Sequence, residues 1–167
     1  MLLLLCGGTI DKTYIPQLEK YMSDKTHFSE MIARANLFDI SLTVHSLFAK
    51  DSLEMNDEDR EQVVEACAKT SEEEILVAHG TDTMVETATV VARHLEQHGI
   101  KKRVVFFGAM IPYENSRSDA LFNLGTAIMA VQIVETGVFV AMNGQLFPWN
   151  FVRKNREKGV FEKLTTS

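Results

Sequence analysis

The chain has little cysteine, little proline and no long apolar run, and each shortage excludes a class of protein. Only two cysteines, Cys6 and Cys67, are present, and they lie far apart, so a disulfide framework is not expected. Three prolines and nine glycines in 167 residues are too few for a low-complexity linker. No apolar run approaches the roughly 20 residues that cross a bilayer, so no membrane-spanning segment is expected.

Basic charge is also scarce. Lysine and arginine number 17 against 23 acidic residues, which gives a formal net charge of −6. No basic run is dense enough to neutralise many phosphates, so nucleic acid is not an expected partner. The five histidines form no metal-binding pattern, and neither a metal nor another cofactor is expected. The short apolar run at residues 1–6 lacks the basic flank of a signal peptide, which favours a cytoplasmic protein.

Five short apolar runs alternate with segments of helical period. The runs are mostly continuous, as in strands buried on both faces, and they cover residues 2–6, 41–47, 74–78, 103–107 and 137–142. Helices are predicted at residues 29–35, 57–70, 83–98 and 118–135, with an irregular stretch at residues 11–26. This alternation predicts one α/β domain over residues 1–167, a three-layer, doubly wound, mostly parallel sheet of the flavodoxin or Rossmann kind, with helices on both faces.

Threonines follow the first and third predicted strands. The first strand leads to the sequence GGTI at residues 7–10, and the third leads to HGTDT at residues 79–83. If the strand order is 2-1-3-4-5, a ligand crevice opens at the carboxyl ends of these two strands, so Thr9 and Thr81 are expected to face it. Gly8 and Gly80 allow close backbone approach there, which would let amide hydrogens point at a developing oxyanion.

Such a crevice suits amide hydrolysis, which needs a nucleophile, a base, oxyanion donors and an acid for the leaving amine. Thr9 or Thr81 could attack, and Tyr14 or Lys154 could take the proton, although neither type of base is deprotonated in water near neutral pH. Dry surroundings would favour a neutral Lys154, whereas a nearby Asp82 carboxylate would favour the charged form. The residues alone leave these alternatives open.

At these positions the sequence resembles the bacterial-type L-asparaginase family. Its two hallmark segments appear here as residues 7–10 and 79–84. Further matches follow in family order and span nearly the whole chain: Tyr14-Ile15-Pro16, Asp51-Ser52 with Met55, Gly108-Ala109-Met110 with Pro112, Ser118-Asp119 with Asn123-Leu124, and Val152 through Asn155.

The resemblance implies that the chain hydrolyses the side-chain amide of L-asparagine, or of glutamine, to the acid and ammonia. It implies that Thr9 is the primary nucleophile, that Tyr14 assists it on a mobile lid, and that Thr81, Asp82 and Lys154 form a second catalytic group. By the same resemblance, Ser52 and Asp82 would hold the α-carboxylate and α-amino groups of the substrate. The other candidate substrate-binding residues are Asp51, Gly8, Gly80 and Ala109.

The chain also departs from the family pattern. Members usually carry a second, smaller α/β domain after the lysine segment, which is not expected in this chain, and a neighbouring subunit's second domain completes their active site. A homo-oligomer, either a dimer or a tetramer, is therefore expected. The segment between Thr9 and Tyr14 is short where many members have a longer lid, and Arg153 and Arg156 flank Lys154 where members favour threonines.

Other interpretations compete with this one. Ser52, Thr81 and Asp82 are residue types that cap helices, Tyr14 could be a surface aromatic, and Lys154 could be solvated among its arginines. An alternative function is a catalytically weak or inactive amino-acid-binding or regulatory module. A nucleotide-binding domain is disfavoured, because residues 7–11 lack the G-x-G-x-x-G spacing that brings a helix N-terminus to pyrophosphate.

Overall fold

A six-stranded sheet with helices on both faces forms the centre of the protein. The computed structural model describes residues 1–18, 20–22 and 26–164. In chain order, its strands are β1 (Leu2–Gly7), β2 (Thr13–Ile15), β3 (Lys20–Met22), β4 (Thr43–Lys50), β5 (Glu74–Ala78), β6 (Arg103–Phe107), β7 (Gly137–Met142), β8 (Gln145–Pro148), β9 (Val152–Asn155) and β10 (Val160–Lys163). The helices are α1 (Phe28–Ala35), α2 (Asp57–Lys69), α3 (Met84–Gln97) and α4 (Ala120–Ile133).

The order of the strands confirms the predicted topology. In the main sheet the order is β4-β1-β5-β6-β7-β8, so the five predicted strands are parallel neighbours in the order 2-1-3-4-5. The antiparallel edge strand β8 was not predicted. It follows a two-residue turn in which Asn143 and Gly144 both have positive φ, and an Asn-Gly pair is a strong signal for such a hairpin.

Two apolar cores, one on each face of the sheet, account for the three layers. Alternate residues of β1 point to opposite faces, and the whole strand is buried. Leu3 and Leu5 pack in the core beneath α1 and α4, whereas Leu4 and Cys6 pack in the core beneath α2 and α3. Cys6 and Cys67 are both free and buried, and burial raises the pKa of each thiol, that of Cys67 to about 12.

The helices begin and end close to the predicted positions. Asn56 caps α2 by accepting a hydrogen bond from the backbone of Asp59, whose carboxylate in turn accepts one from the backbone of Asn56, which completes a capping box. Gly99 follows α3 in the left-handed conformation, with φ of 62°. Within the described part of the chain, no helix has the length and apolar character needed to cross a membrane.

Two small hairpins in the structure were not predicted. The stretch 11–26, which was expected to be irregular, contains the antiparallel pair β2–β3, and residues 19 and 23–25 of that stretch lie outside the described residues. The antiparallel pair β9–β10 carries Lys154. Both pairs have strands of only three or four residues, which are too short to show a hydrophobic period.

Candidate active site

The ends of β1 and β5 lie in backbone contact. A methyl group on Gly8 would lie 2.4 Å from the Cα atom of Gly80, which is closer than atoms can approach. Gly8 also has φ of 87° and ψ of 179°, a conformation that is essentially restricted to glycine. Thr9 and Thr81 each follow one of these two glycines. The structure therefore brings the two predicted nucleophile segments together.

Lys154 connects the hairpin β9–β10 to the end of β5. Its Nζ atom donates to Oγ1 of Thr81 at 2.7 Å and to Oδ1 of Asp82 at 3.0 Å. Thr81 is only 5% exposed, so the hydroxyl–ammonium contact is largely shielded from water. The three predicted members of the second catalytic group thus form one hydrogen-bonded cluster.

Asp82 has a second cationic partner. The Nε atom of Arg156 lies 3.5 Å from Oδ1 of Asp82, on the same oxygen that Lys154 contacts. Both pairs border a cleft of about 590 Å³ between β9 and the first turns of α3, where Val85 and Glu86 form the opposite wall. Lys154 and Asp82 are among its described lining residues, whereas Thr9 and Thr81 are not.

The end of β4 supplies Asp51 and Ser52. Ser52 is 2% exposed and lies against Gly80, and its carbonyl oxygen accepts a hydrogen bond from the hydroxyl of Thr83 at 2.8 Å. The carboxylate of Asp51 accepts hydrogen bonds from Nζ of Lys12 and from the backbone of Leu53. The Lys12 hydrogen bond is the main cause that lowers the pKa of Asp51 below its ordinary value.

Tyr14 lies apart from this cluster in the arrangement described. It is 45% exposed on β2, where its ring packs against Tyr21 of β3 with 5.2 Å between the centroids. Across the described residues, no hydrogen bond joins Tyr14 to Thr9. At the base of the hairpin, Asp11 is buried and accepts a hydrogen bond from the backbone of His27 at 2.6 Å. Burial raises the pKa of Asp11, an effect that the His27 hydrogen bond partly opposes.

The loop after β6 is held by a residue that was not among the predicted site residues. The carboxylate of Asp119 accepts backbone hydrogen bonds from Met110 and Ile111, each at 3.1 Å, and a side-chain bond from Asn123 at 2.9 Å. Ala109 itself is fully buried. The sequence carried one signal for the contact between Asp119 and Asn123, because they are four residues apart at the start of a predicted helix.

His79 is neutral and structural in this arrangement. It is completely buried, and burial lowers its pKa to about 4. Its Nδ1 atom lies 2.7 Å from the carbonyl oxygen of Gly80, and because a carbonyl only accepts, Nδ1 carries the hydrogen. In the described ranges, no cluster of three or more His, Cys, Asp or Glu side chains could hold a metal ion.

Comparisons with known proteins show the family and the fold of the chain. The chain is 31% identical over 167 residues to L-asparaginase 1 of Escherichia coli strain K12, an alignment covering 92% of the chain and 46% of that protein. The structure of the thermostable L-asparaginase from Thermococcus kodakarensis has a similar fold, with a TM-score of 0.81 at 22% identity, over 99% of this chain and 51% of that one.

A further solved structure, that of the "Probable Cytoplasmic L-asparaginase" from Campylobacter jejuni, has a TM-score of 0.79 at 24% identity, over 97% of this chain and 52% of that one. The chain therefore spans about half the length of these relatives. A family model described as "Asparaginase, N-terminal" matches residues 1–162, nearly the whole chain. On this match the chain belongs to the asparaginase family, in its N-terminal portion.

Proposed function

We propose that this chain hydrolyses the side-chain amide of L-asparagine to aspartate and ammonia, with L-glutamine as the second candidate substrate. The observation that carries the proposal is the cluster of Lys154, Thr81 and Asp82, joined by contacts of 2.7 and 3.0 Å beside the segment that bears Thr9. The name of the Escherichia coli relative, L-asparaginase 1, supports the same reaction.

In this mechanism the hydroxyl oxygen of Thr9 attacks the carboxamide carbon, and its proton leaves through a neighbouring base. Collapse of the tetrahedral intermediate breaks the carbon–nitrogen bond while the protonated base returns its proton to the nitrogen, which leaves as ammonia. Water then hydrolyses the ester on Thr9, which gives the acid and restores the hydroxyl. Backbone amides near Gly8 and Gly80 stabilise the oxyanion. In the hydrolysis step neutral Lys154 takes the hydroxyl proton of Thr81 while Thr81 takes a proton from the attacking water, and Lys154 returns the proton through Thr81 to the hydroxyl oxygen of Thr9 as the acid leaves.

Tyr14 assists Thr9 after the hairpin β2–β3 closes over the bound substrate. Its exposure is the support for this step, because a side chain that must move is expected to have few fixed contacts before substrate binds. Asp51 and Ser52, with the backbone of Gly8, Gly80 and Ala109, complete the substrate-binding wall. In this proposal Ser52 receives the carboxylate of the substrate.

Two properties of the whole protein belong to the proposal. The cytoplasmic location is supported by two free, buried cysteines and by the name of the Campylobacter jejuni protein. A homo-oligomer is supported by an apolar stripe on the outer face of α4, where Phe122, Met129 and Ile133 are each more than half exposed. The catalytic unit is proposed to be a single domain over residues 1–167, of which the last three lie beyond the described residues.

The test is ammonia release by the pure full chain from millimolar asparagine and glutamine. Thr9→Val and Thr81→Val each keep the size of the side chain and remove the hydroxyl, and each is expected to lower kcat/KM by about 10³-fold. Thr43→Val is the control and should keep full activity, because it changes an exposed threonine at the amino end of β4, on the sheet edge opposite the crevice. Release no faster than in buffer would contradict the proposal, and amino-acid binding without release would favour a binding module instead.

A further inference from the structure

Arg156 contacts the carboxylate of Asp82, the group that by family resemblance would hold the α-amino group of the substrate. The Nε atom of Arg156 lies 3.5 Å from Oδ1 of Asp82, and that same oxygen accepts a hydrogen bond from Lys154 at 3.0 Å. Asp82 is one third exposed, and two cations contact its carboxylate. An ammonium group that approached it would have to share the anion with both cations.

The position of Arg156 also places positive charge at the mouth of the cleft. Its side chain is 65% exposed and lines the same cleft as Lys154 and Asp82. A carboxylate on a ligand is attracted by that guanidinium, whereas an ammonium group is repelled by it.

We propose that Arg156 is a specificity-determining residue, which screens Asp82 and lets the site accept ω-amides of short dicarboxylic acids that carry no α-ammonium group. The simplest member of this class is succinamate, which is L-asparagine with its amino group replaced by hydrogen. This inference rests on the proposed amidohydrolase function and specifies its substrate class. Discrimination between asparagine and succinamate is the property that Arg156 controls.

Arg153 offers a matched control on the same hairpin. It lies three residues before Arg156, lines the same cleft and is similarly exposed, at 58%. Its guanidinium, however, donates to Oε1 of Glu162 on β10, from Nε at 3.0 Å and from Nη2 at 2.7 Å. Removal of either arginine subtracts one positive charge from the cleft, but only the loss of Arg156 removes a cation from Asp82, which keeps its contact with Lys154.

The experiment compares the full chain with Arg156→Gln and Arg153→Gln. For each protein, kcat/KM is measured by ammonia release with L-asparagine and with succinamate, at the same pH and salt. Arg156→Gln is expected to raise the ratio of asparagine to succinamate turnover by about threefold to fivefold, as the loss of an exposed ion pair allows. Arg153→Gln should change this ratio by less than about twofold, since it leaves the pair at Asp82 intact.

Two results would overturn the inference: an unchanged ratio in Arg156→Gln, or an equal rise in Arg153→Gln, which would show a general effect of cleft charge.

If the wild type releases no ammonia from either compound, the amidohydrolase function fails. Calorimetric titration of the three proteins with L-aspartate and with succinate, the two reaction products, then decides the inference without turnover. A gain in affinity for aspartate over succinate in Arg156→Gln alone would support it, and identical preferences in all three proteins would refute it.

Discussion

Replacing Gly8 by alanine tests whether the crevice depends on backbone contact between β1 and β5. The added methyl group would lie 2.4 Å from both the Cα atom and the nitrogen of Gly80. Neither of those atoms belongs to a flexible side chain, so the two strand ends must separate. Because Thr9 follows Gly8 and Thr81 follows Gly80, the separation moves the two hydroxyls relative to each other.

Two effects determine how much activity and stability Gly8→Ala should lose. Ordinary contacts between such atoms are about 3.5–4.0 Å, so the strand ends must open by about 1 Å. A misplacement of about 1 Å in a catalytic group lowers activity by about 10²-fold. The backbone adds to this, since φ of 87° with ψ of 179° at Gly8 strains any other residue by about 1–3 kcal/mol. We therefore expect Gly8→Ala to lose about 3 kcal/mol of unfolding free energy and about 10²-fold in kcat/KM.

Gly99→Ala is the control for Gly8→Ala, because it introduces backbone strain without a steric clash. Gly99 also has a positive φ, 62°, but no atom lies within 4 Å of the position of a new methyl group. This variant should lose about 1 kcal/mol of unfolding free energy and keep its kcat/KM. Urea denaturation gives the first quantity, and ammonia release from asparagine gives the second. The reasoning fails if Gly8→Ala stays within about threefold of wild-type activity, or if Gly99→Ala loses as much activity as Gly8→Ala.

Three further predictions concern single side chains. Lys154→Met should lower kcat/KM by about 10³-fold by removing the base, while Lys158→Met, on the turn of the same hairpin, keeps activity in the ammonia assay. Tyr14→Phe should lower kcat/KM by at least about tenfold, whereas Tyr21→Phe, its cross-strand partner, should not; equal losses would show that the pair only stabilises the hairpin. Asp59→Asn removes a carboxylate that accepts two contacts from Nζ of Lys50 and one hydrogen bond from the backbone of Asn56, in the capping box of α2. This loss should cost about 2–3 kcal/mol of unfolding free energy at pH 7. These hydrogen bonds hold the pKa of Asp59 below its ordinary value, so this difference persists down to about pH 4 and disappears at lower pH, as denaturant titrations across pH will measure.

The order of the central strands was predictable because their burial leaves a direct trace in the sequence. β1, β5, β6 and β7 are buried on both faces and appear as continuous apolar runs, which are separated by segments of helical period. β4 is different, because it lies at the sheet edge and is mostly exposed. Its observed bounds, Thr43–Lys50, are accordingly displaced toward the C-terminus from the predicted 41–47, by two residues at the start and three at the end.

The polar partners of the site were harder to predict, because they are set by tertiary contacts between distant segments. Lys12 pairs with Asp51 across 39 residues, and Lys154 reaches Thr81 across 73. No periodicity links such pairs, so the residues left Lys154 as one of two candidate bases, and Lys12 was not indicated at all. Arg156 was noticed as a departure near Lys154, but its contact with Asp82 required coordinates.

The position of Lys154 depends on packing outside the crevice. β9 and β10 belong to no large sheet, yet Val152 and Phe161 are both buried at 2% exposure in the core beneath α3. The backbone of Phe161 donates a hydrogen bond of 2.7 Å to the side chain of Asn143, in the turn between β7 and β8. Asn143 therefore has two roles, since it forms the turn that starts β8 and ties the hairpin of Lys154 to the end of the parallel sheet. The strands β1 and β5 position Thr9 and Thr81 directly. Lys154, the proposed base, is positioned by the turn at Asn143 and by the buried side chains of Val152 and Phe161.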